Sequence, residues 1–202
     1  MTAMKRLTPT EIALVAVLSA TALVLAFTHG LTSPYLYNIE FMSVVIFVSG
    51  FCFGWVVGSL VGAIATTVWN LFPYPFVSPL ATITVTSPVL LVIMAALGAL
   101  YGAVGGLRGR NWSLPKGQRE FAVFEMAFWG FALTFIFDIM SSVGFYLAYP
   151  VYPSVWEAIY LTFIPMYMVY PPIVHTLANT FIFAFIAPPL VFAIKKMPLP
   201  RK

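Results

Sequence analysis

The ten lysines and arginines of this chain fall at three places, and one membrane topology puts all three on the same side. Lys5 and Arg6 precede the first apolar run, Arg108, Arg110, Lys116 and Arg119 fill one connector, and Lys195, Lys196, Arg201 and Lys202 follow the last run. Between them the chain is overwhelmingly apolar: 61% of residues are hydrophobic and 8% charged, where a soluble domain carries roughly 25% charged residues. Basic residues stay on the cytoplasmic side of an inserted protein. The pattern therefore predicts an all-α membrane protein with both termini cytoplasmic, an even number of spans, and a place in the cell (plasma) membrane. The net charge of +4 is then a topology signal. It forms no basic face of the kind nucleic acid requires. The lone Cys52 excludes an intramolecular disulfide. The first run lacks a small-residue cleavage site and reads as a retained span. The 202 residues are expected to form a single transmembrane domain, 1–202.

A span needs about 20 residues. The first is expected from Leu7 to Thr28, opened by Thr8-Pro9-Thr10-Glu11. An outer loop, His29 to Asn38, follows. The second span, Ile39 to Phe53, is short for a full crossing, and Gly54 marks a tight inner turn into the third, which ends near Phe72. Pro73, Pro75 and Pro79 make an outer loop. The fourth span is placed at Ala81 to Leu107, interrupted by Pro88, and the fifth at Phe121 to Ala148. Tyr149 to Pro172 holds five prolines and a short run, Trp156 to Tyr170. A crossing there would put one basic terminus outside, so the segment reads as an outer lid or re-entrant element. The last span is Ile173 to Lys195. The expected architecture is a six-transmembrane-helix bundle with an outer lid element between spans five and six.

Small residues let helices approach closely in lipid. Ala16-x-x-x-Ala20 lies in the first span, Gly54, Gly58 and Gly62 in the third, and Gly98, Gly102 and Gly106 in the fourth. The glycine rows suit packing within the chain. Ala16 and Ala20 suit either such packing or the docking of a partner helix.

Polar groups inside a membrane are costly and mark sites or pathways. Glu40, Asn70, Asp138, His175 and Asn179 all fall in the outer half of the expected topology. His175 and Asn179, four residues apart, share a helix face. Trp69, Tyr74, Tyr146 and Trp156 lie at similar depth. Together they predict a pocket open to the outside, with Asp138 opposing a cationic or hydrogen-bond-donating group, His175 and Asn179 orienting polar edges, and the aromatics stacking on a ring. The competing readings are local: Glu40 as a solvated helix start, Asn70 as a helix-end hydrogen bond, Asp138–His175 as a structural pair, and the aromatics as an interfacial belt.

No nucleotide-binding P-loop, H-E-x-x-H, C-x-x-C or G-x-S-x-G occurs. The inventory is one of binding, so no catalytic residue, metal site or cofactor is expected, and the chain is read as not an enzyme.

Ala16-Val-Leu-Ser-Ala20, Gly50-Phe-Cys-Phe-Gly54 followed by Gly58 and Gly62, and Pro172-Ile-Val-His-Thr-Leu-Ala-Asn179 followed by Ala187-Pro188-Pro189-Leu190 occur in that order. In this order and topology the chain resembles the substrate-binding S-components of energy-coupling factor (ECF) transporters over nearly its whole length. The resemblance implies capture of a vitamin or vitamin-like molecule at the outer side, under loops that here are His29 to Asn38, Phe72 to Leu80 and Tyr149 to Pro172. It implies partners: a transmembrane coupling subunit, docked at Ala16 and Ala20, and two ATPase subunits that use the ATP. It also implies that the S-component topples in the bilayer to release its substrate. Metal-carrying members usually have a His-rich N-terminus, absent here, so an organic substrate is expected. The rival functions are a self-sufficient carrier or channel acting as a homo-oligomer, and a membrane enzyme using Asp138 and His175 on a lipid or prenyl group.

Overall fold

Local chemistry sets where the helices begin. A computed structural model of the chain describes residues 7–32, 40–72, 87–113, 119–149, 151–163 and 172–197, and the structural statements below concern those residues. Helix α1 (Pro9–Thr32) opens with a reciprocal capping box. The Thr8 hydroxyl accepts from the Glu11 amide at 3.3 Å, and Glu11 Oε2 accepts from the Thr8 amide at 2.7 Å. Helices α2 (Phe41–Phe53) and α3 (Trp55–Leu71) are joined by Gly54 alone, at φ +102°, a conformation that residues with a Cβ rarely adopt. Helix α4 (Pro88–Arg110) starts with Ser87 as its cap, the hydroxyl accepting from the Leu90 amide at 3.4 Å. Pro88 thus opens this helix in its first turn, where no N–H is missed. Residues 81–86 lie outside the described residues. Helices α5 (Arg119–Ala148), α6 (Val155–Phe163) and α7 (Pro172–Lys196) complete the set. Pro188 and Pro189 sit inside α7, which runs on through them.

Among the described residues all regular structure is helical, in seven helices. Four contain a stretch long and apolar enough to cross a membrane: Pro9–Phe27 in α1, Pro88–Arg110 in α4, Glu120–Ala148 in α5 and Ile173–Lys196 in α7. The 13 residues of α2 and 17 of α3 are apolar but shorter. At 1.5 Å per residue α2 reaches about 20 Å, short of the roughly 30 Å hydrocarbon core. The segment expected as a lid holds α6, which packs chiefly on α5; residues 164–171 lie outside the described residues.

Backbone-to-backbone packing joins α2, α3 and α4. A methyl at Gly102 would land on the carbonyl of Gly58, one at Gly62 on Gly98, and one at Gly50 on Gly102. The glycine rows are therefore filled within the chain. Phe47, Ile46, Val57, Val61, Met126, Phe183 and Val191 form the core around this seam. Helix α1 rests on α2 and α3 through Val15, Ala22 and Ala26. Its opposite face, with Ile12, Ala16, Val17, Ala20 and Val24, is exposed.

One end of the bundle is closed by basic groups. Arg108 Nε pairs with Glu125, whose other oxygen accepts from the Trp112 indole at 3.0 Å. Lys195 Nζ lies 4.5 Å from the Trp112 ring centre and 5.1 Å from that of Phe51. The sequence reading did not single out Glu125 or Trp112.

Candidate functional site

Asp138 and Glu125 share α5 but lie thirteen residues apart, about 20 Å along the axis. Asp138 therefore sits toward the end of the bundle opposite Arg108 and Lys195. At that acidic end, His175 on α7 bridges two carboxylates from other elements. Its Nδ1 is 2.8 Å from Asp138 Oδ1, and its Nε2 is 3.2 Å from Oε2 of Glu40, the residue just before α2. Asp138's other oxygen accepts from Thr176 Oγ1 at 2.8 Å. Asn179, one turn beyond His175, places its Nδ2 3.1 Å from His175 Nε2 and donates to Thr134 Oγ1 at 3.2 Å. Tyr101 on α4 donates to that same hydroxyl at 3.0 Å. One chain of contacts thus runs from Glu40 through His175 to Asp138, and through Asn179 to Thr134 and Tyr101.

Burial is steep across this network. Asp138, Thr134, Thr176, Tyr101 and Asn179 are buried, while the Glu40 side chain keeps 26% of its exposure. Two positions identify what is already committed and what is open. Asp138 has both oxygens occupied. Asn179 is fully buried, and its carbonyl oxygen has no hydrogen-bond donor. Such a group costs about 1–3 kcal/mol when left unmet.

Helix geometry explains the convergence. Thr134 and Asp138 are one turn apart on α5, as His175 and Asn179 are on α7, so two facing stripes meet. The Ser141 and Ser142 hydroxyls both donate back to the Asp138 carbonyl, at 2.9 and 2.8 Å, and leave its carboxylate to His175 and Thr176.

Other sequence candidates lie elsewhere. Asn70 Nδ2 donates to the Thr66 carbonyl of its own helix at 2.7 Å. Trp69 meets Phe27 of α1, ring centres 5.0 Å apart. Tyr146 is partly buried, two turns past Asp138 on α5. Trp156 is 76% exposed. It lines an apolar groove of about 800 Å³ with Phe135, Ile139, Tyr160 and Phe163, which shares no residue with the polar network. Tyr74 lies outside the described residues.

A family model for the substrate-specific component of ECF transporters matches residues 10–191. The chain belongs to that family. Comparisons with curated proteins and with solved structures gave no match. Membership makes this a membrane transport protein whose role is to bind what is transported.

For a substrate-specific component the network has a defined chemistry. Each short contact of the imidazole needs a proton between its heavy atoms. Nδ1–H donates to Asp138, and one further proton lies between Nε2 and Glu40 Oε2. Among the described residues no group of three or more His, Cys, Asp or Glu side chains is placed to hold a metal ion. The sequence reading missed Tyr101, Thr134 and Thr176. The usable signal was spacing: Thr134 stands one turn before Asp138, and Thr176 is next to His175.

Proposed function

We propose that this substrate-specific component captures a vitamin-like small organic molecule at the outer face of the plasma membrane. It then hands the molecule to a transmembrane coupling subunit driven by two ATPases. The family match supports the transport role, and the buried, incompletely satisfied network of Glu40, Asp138, His175 and Asn179 is the observation that carries the binding site. In this reading the chain makes six spans, with α2 and α3 completing the four longer helices and α6 lying as a lid between the last two. Both termini, with their basic residues, face the cytoplasm. The acidic end then opens outward.

Glu40 and Asn179 offer the free hydrogen-bonding capacity, and Asp138, Thr176, Thr134 and Tyr101 hold His175 and Asn179 in place. Trp69, Asn70, Tyr74, Tyr146 and Trp156 are left as secondary candidates around this centre. The exposed Ala16–Ala20 face of α1 suits helix docking, because small side chains let another helix approach closely. The chain carries no cofactor in this scheme and performs no reaction; ATP is used by its partners.

Affinity purification in mild detergent, with mass spectrometry of co-purifying chains and small molecules, tests the proposal. Recovery of a membrane coupling protein and two ATPases, lost on Ala16→Trp while ligand binding persists, is the expected result. A chain that purifies alone and moves substrate across liposomes without ATPases would replace this reading with a self-sufficient carrier.

A further inference from the structure

We infer that the substrate held by this network carries a positive charge, with Glu40 as its counter-ion. The inference rests on the substrate-capture reading above and adds the chemical class of what is captured.

It follows first from charge. Asp138 is a carboxylate with both oxygens accepting. The single proton between Nε2 and Glu40 gives either imidazolium with carboxylate or imidazole with carboxylic acid, and both sum to zero. The cluster is left at minus one. Burying an uncompensated charge is strongly unfavourable. Among the described side chains no other cation lies at this end of the bundle. The sequence has no Lys or Arg between Arg6 and Arg108, nor between Arg119 and Lys195, and His29 is its only other histidine. On α7, Lys195 is twenty residues from His175, about 30 Å along the helix. The other ionisable side chains toward this end of the packed elements add no positive charge: Tyr101 on α4, Tyr146 on α5, Glu157 and Tyr160 on α6, and none on α3. Glu11 lies at the far end of α1.

The second observation is one of hydrogen bonding. The buried Asn179 carbonyl oxygen lacks a donor. A ligand with an N–H group meets that need, and a positive nitrogen meets the charge. A metal ion does neither well, since both ring nitrogens and both Asp138 oxygens are taken. The substrate class is therefore an organic cation with N–H donors: an ammonium group or an amino-substituted, positively charged heterocycle.

The test uses the whole chain in lipid nanodiscs. Calorimetry is run with a cationic vitamin (thiamine), a neutral one (riboflavin) and an anionic one (pantothenate), on wild type and Glu40→Gln. Thermal unfolding of the empty wild type and Glu40→Gln is followed alongside. Binding confined to the cation, weakened about 100-fold in Glu40→Gln, is expected. So is a higher unfolding temperature for the empty Glu40→Gln protein, which lacks the surplus charge. A neutral or anionic binder held equally by wild type and Glu40→Gln would overturn the charge inference and leave the capture reading standing. If no probe binds, the capture reading takes the loss. The unfolding arm then decides alone, and an empty Glu40→Gln protein no more stable than wild type overturns the inference.

Discussion

At the basic end of the bundle Glu125 is met by both Arg108 and the Trp112 indole, and Lys195 lies over two aromatic rings. At the acidic end Glu40 and Asp138 share one histidine. The first cluster pairs each charge with an opposite charge or a ring face, near the helix ends and partly exposed. The second is buried deeper, has a surplus of negative charge, and leaves the Asn179 oxygen unmet. A cluster that only held helices together would be expected to look like the first. On the proposed reading, the unmet Asn179 oxygen and the surplus charge are what a bound ligand satisfies, and binding then stabilises the fold.

The contrast is easiest to break at His175. His175→Ala removes the only group between two buried or half-buried carboxylates, and the expected loss of unfolding free energy is about 3–5 kcal/mol. Thermal unfolding in detergent reads it. A loss no larger than that of a basic-end variant would mean that the acidic end is more solvated than its geometry indicates. Thr134→Val comes next. It takes the shared acceptor from Tyr101 and Asn179, both buried. A cost of about 1–3 kcal/mol per unmet donor follows, together with weaker ligand binding as Asn179 loses its anchor. Stability loss with unchanged ligand affinity would assign Thr134 to the fold alone.

Glu125→Gln, at the other end, should cost only about 1 kcal/mol. Arg108 is partly solvated, its side chain 36% exposed, and the Trp112 hydrogen bond can pass to the amide. Ligand affinity should not move. A change in affinity would couple the two ends and end their treatment as separate regions.

How much of this was legible in the sequence differs between the same two ends. The Thr8–Glu11 helix start, the Gly54 turn and the glycine seam were readable because each depends on local backbone chemistry or on fixed helical spacing. Pro88 reads as an interruption from sequence and stands in the first turn of α4, because a proline there and one in a helix interior look alike until the cap, Ser87, is recognised. At the acidic end, depth and cost singled out Glu40, Asp138, His175 and Asn179 as residues that need partners. Which partner each takes depends on how α5 and α7 face one another. Asn70 and Trp69 shared the depth but turn to their own helix and to α1. Thr134, Thr176 and Tyr101 went unnoticed because hydroxyls are cheap in a helix, where they can bond the preceding turn; only the tertiary structure redirects them. The basic end went unread for a related reason. Its cations were assigned wholly to topology, and Glu125 and Trp112 were given no role.

The smallest expected effect separates topology from packing at that end. Lys195→Met keeps the aliphatic stem against Phe51 and Trp112 but removes the cation. A ring contact of this kind contributes about 0.5–1 kcal/mol at an exposed position, and salt should screen the rest of the charge's effect. The expected result is a slight drop in unfolding temperature for Lys195→Met, with unchanged orientation in the membrane. Lys196, Arg201 and Lys202 still mark that terminus. Accessibility of an added C-terminal cysteine to an impermeant reagent reads the orientation. If stability were unchanged and orientation mixed, Lys195 would act in insertion only, and the basic end would be a topological signal with no clamp. A stability loss that disappears in high salt, with orientation intact, keeps both roles and distinguishes this end from the His175 network, where burial shields the charges from added ions.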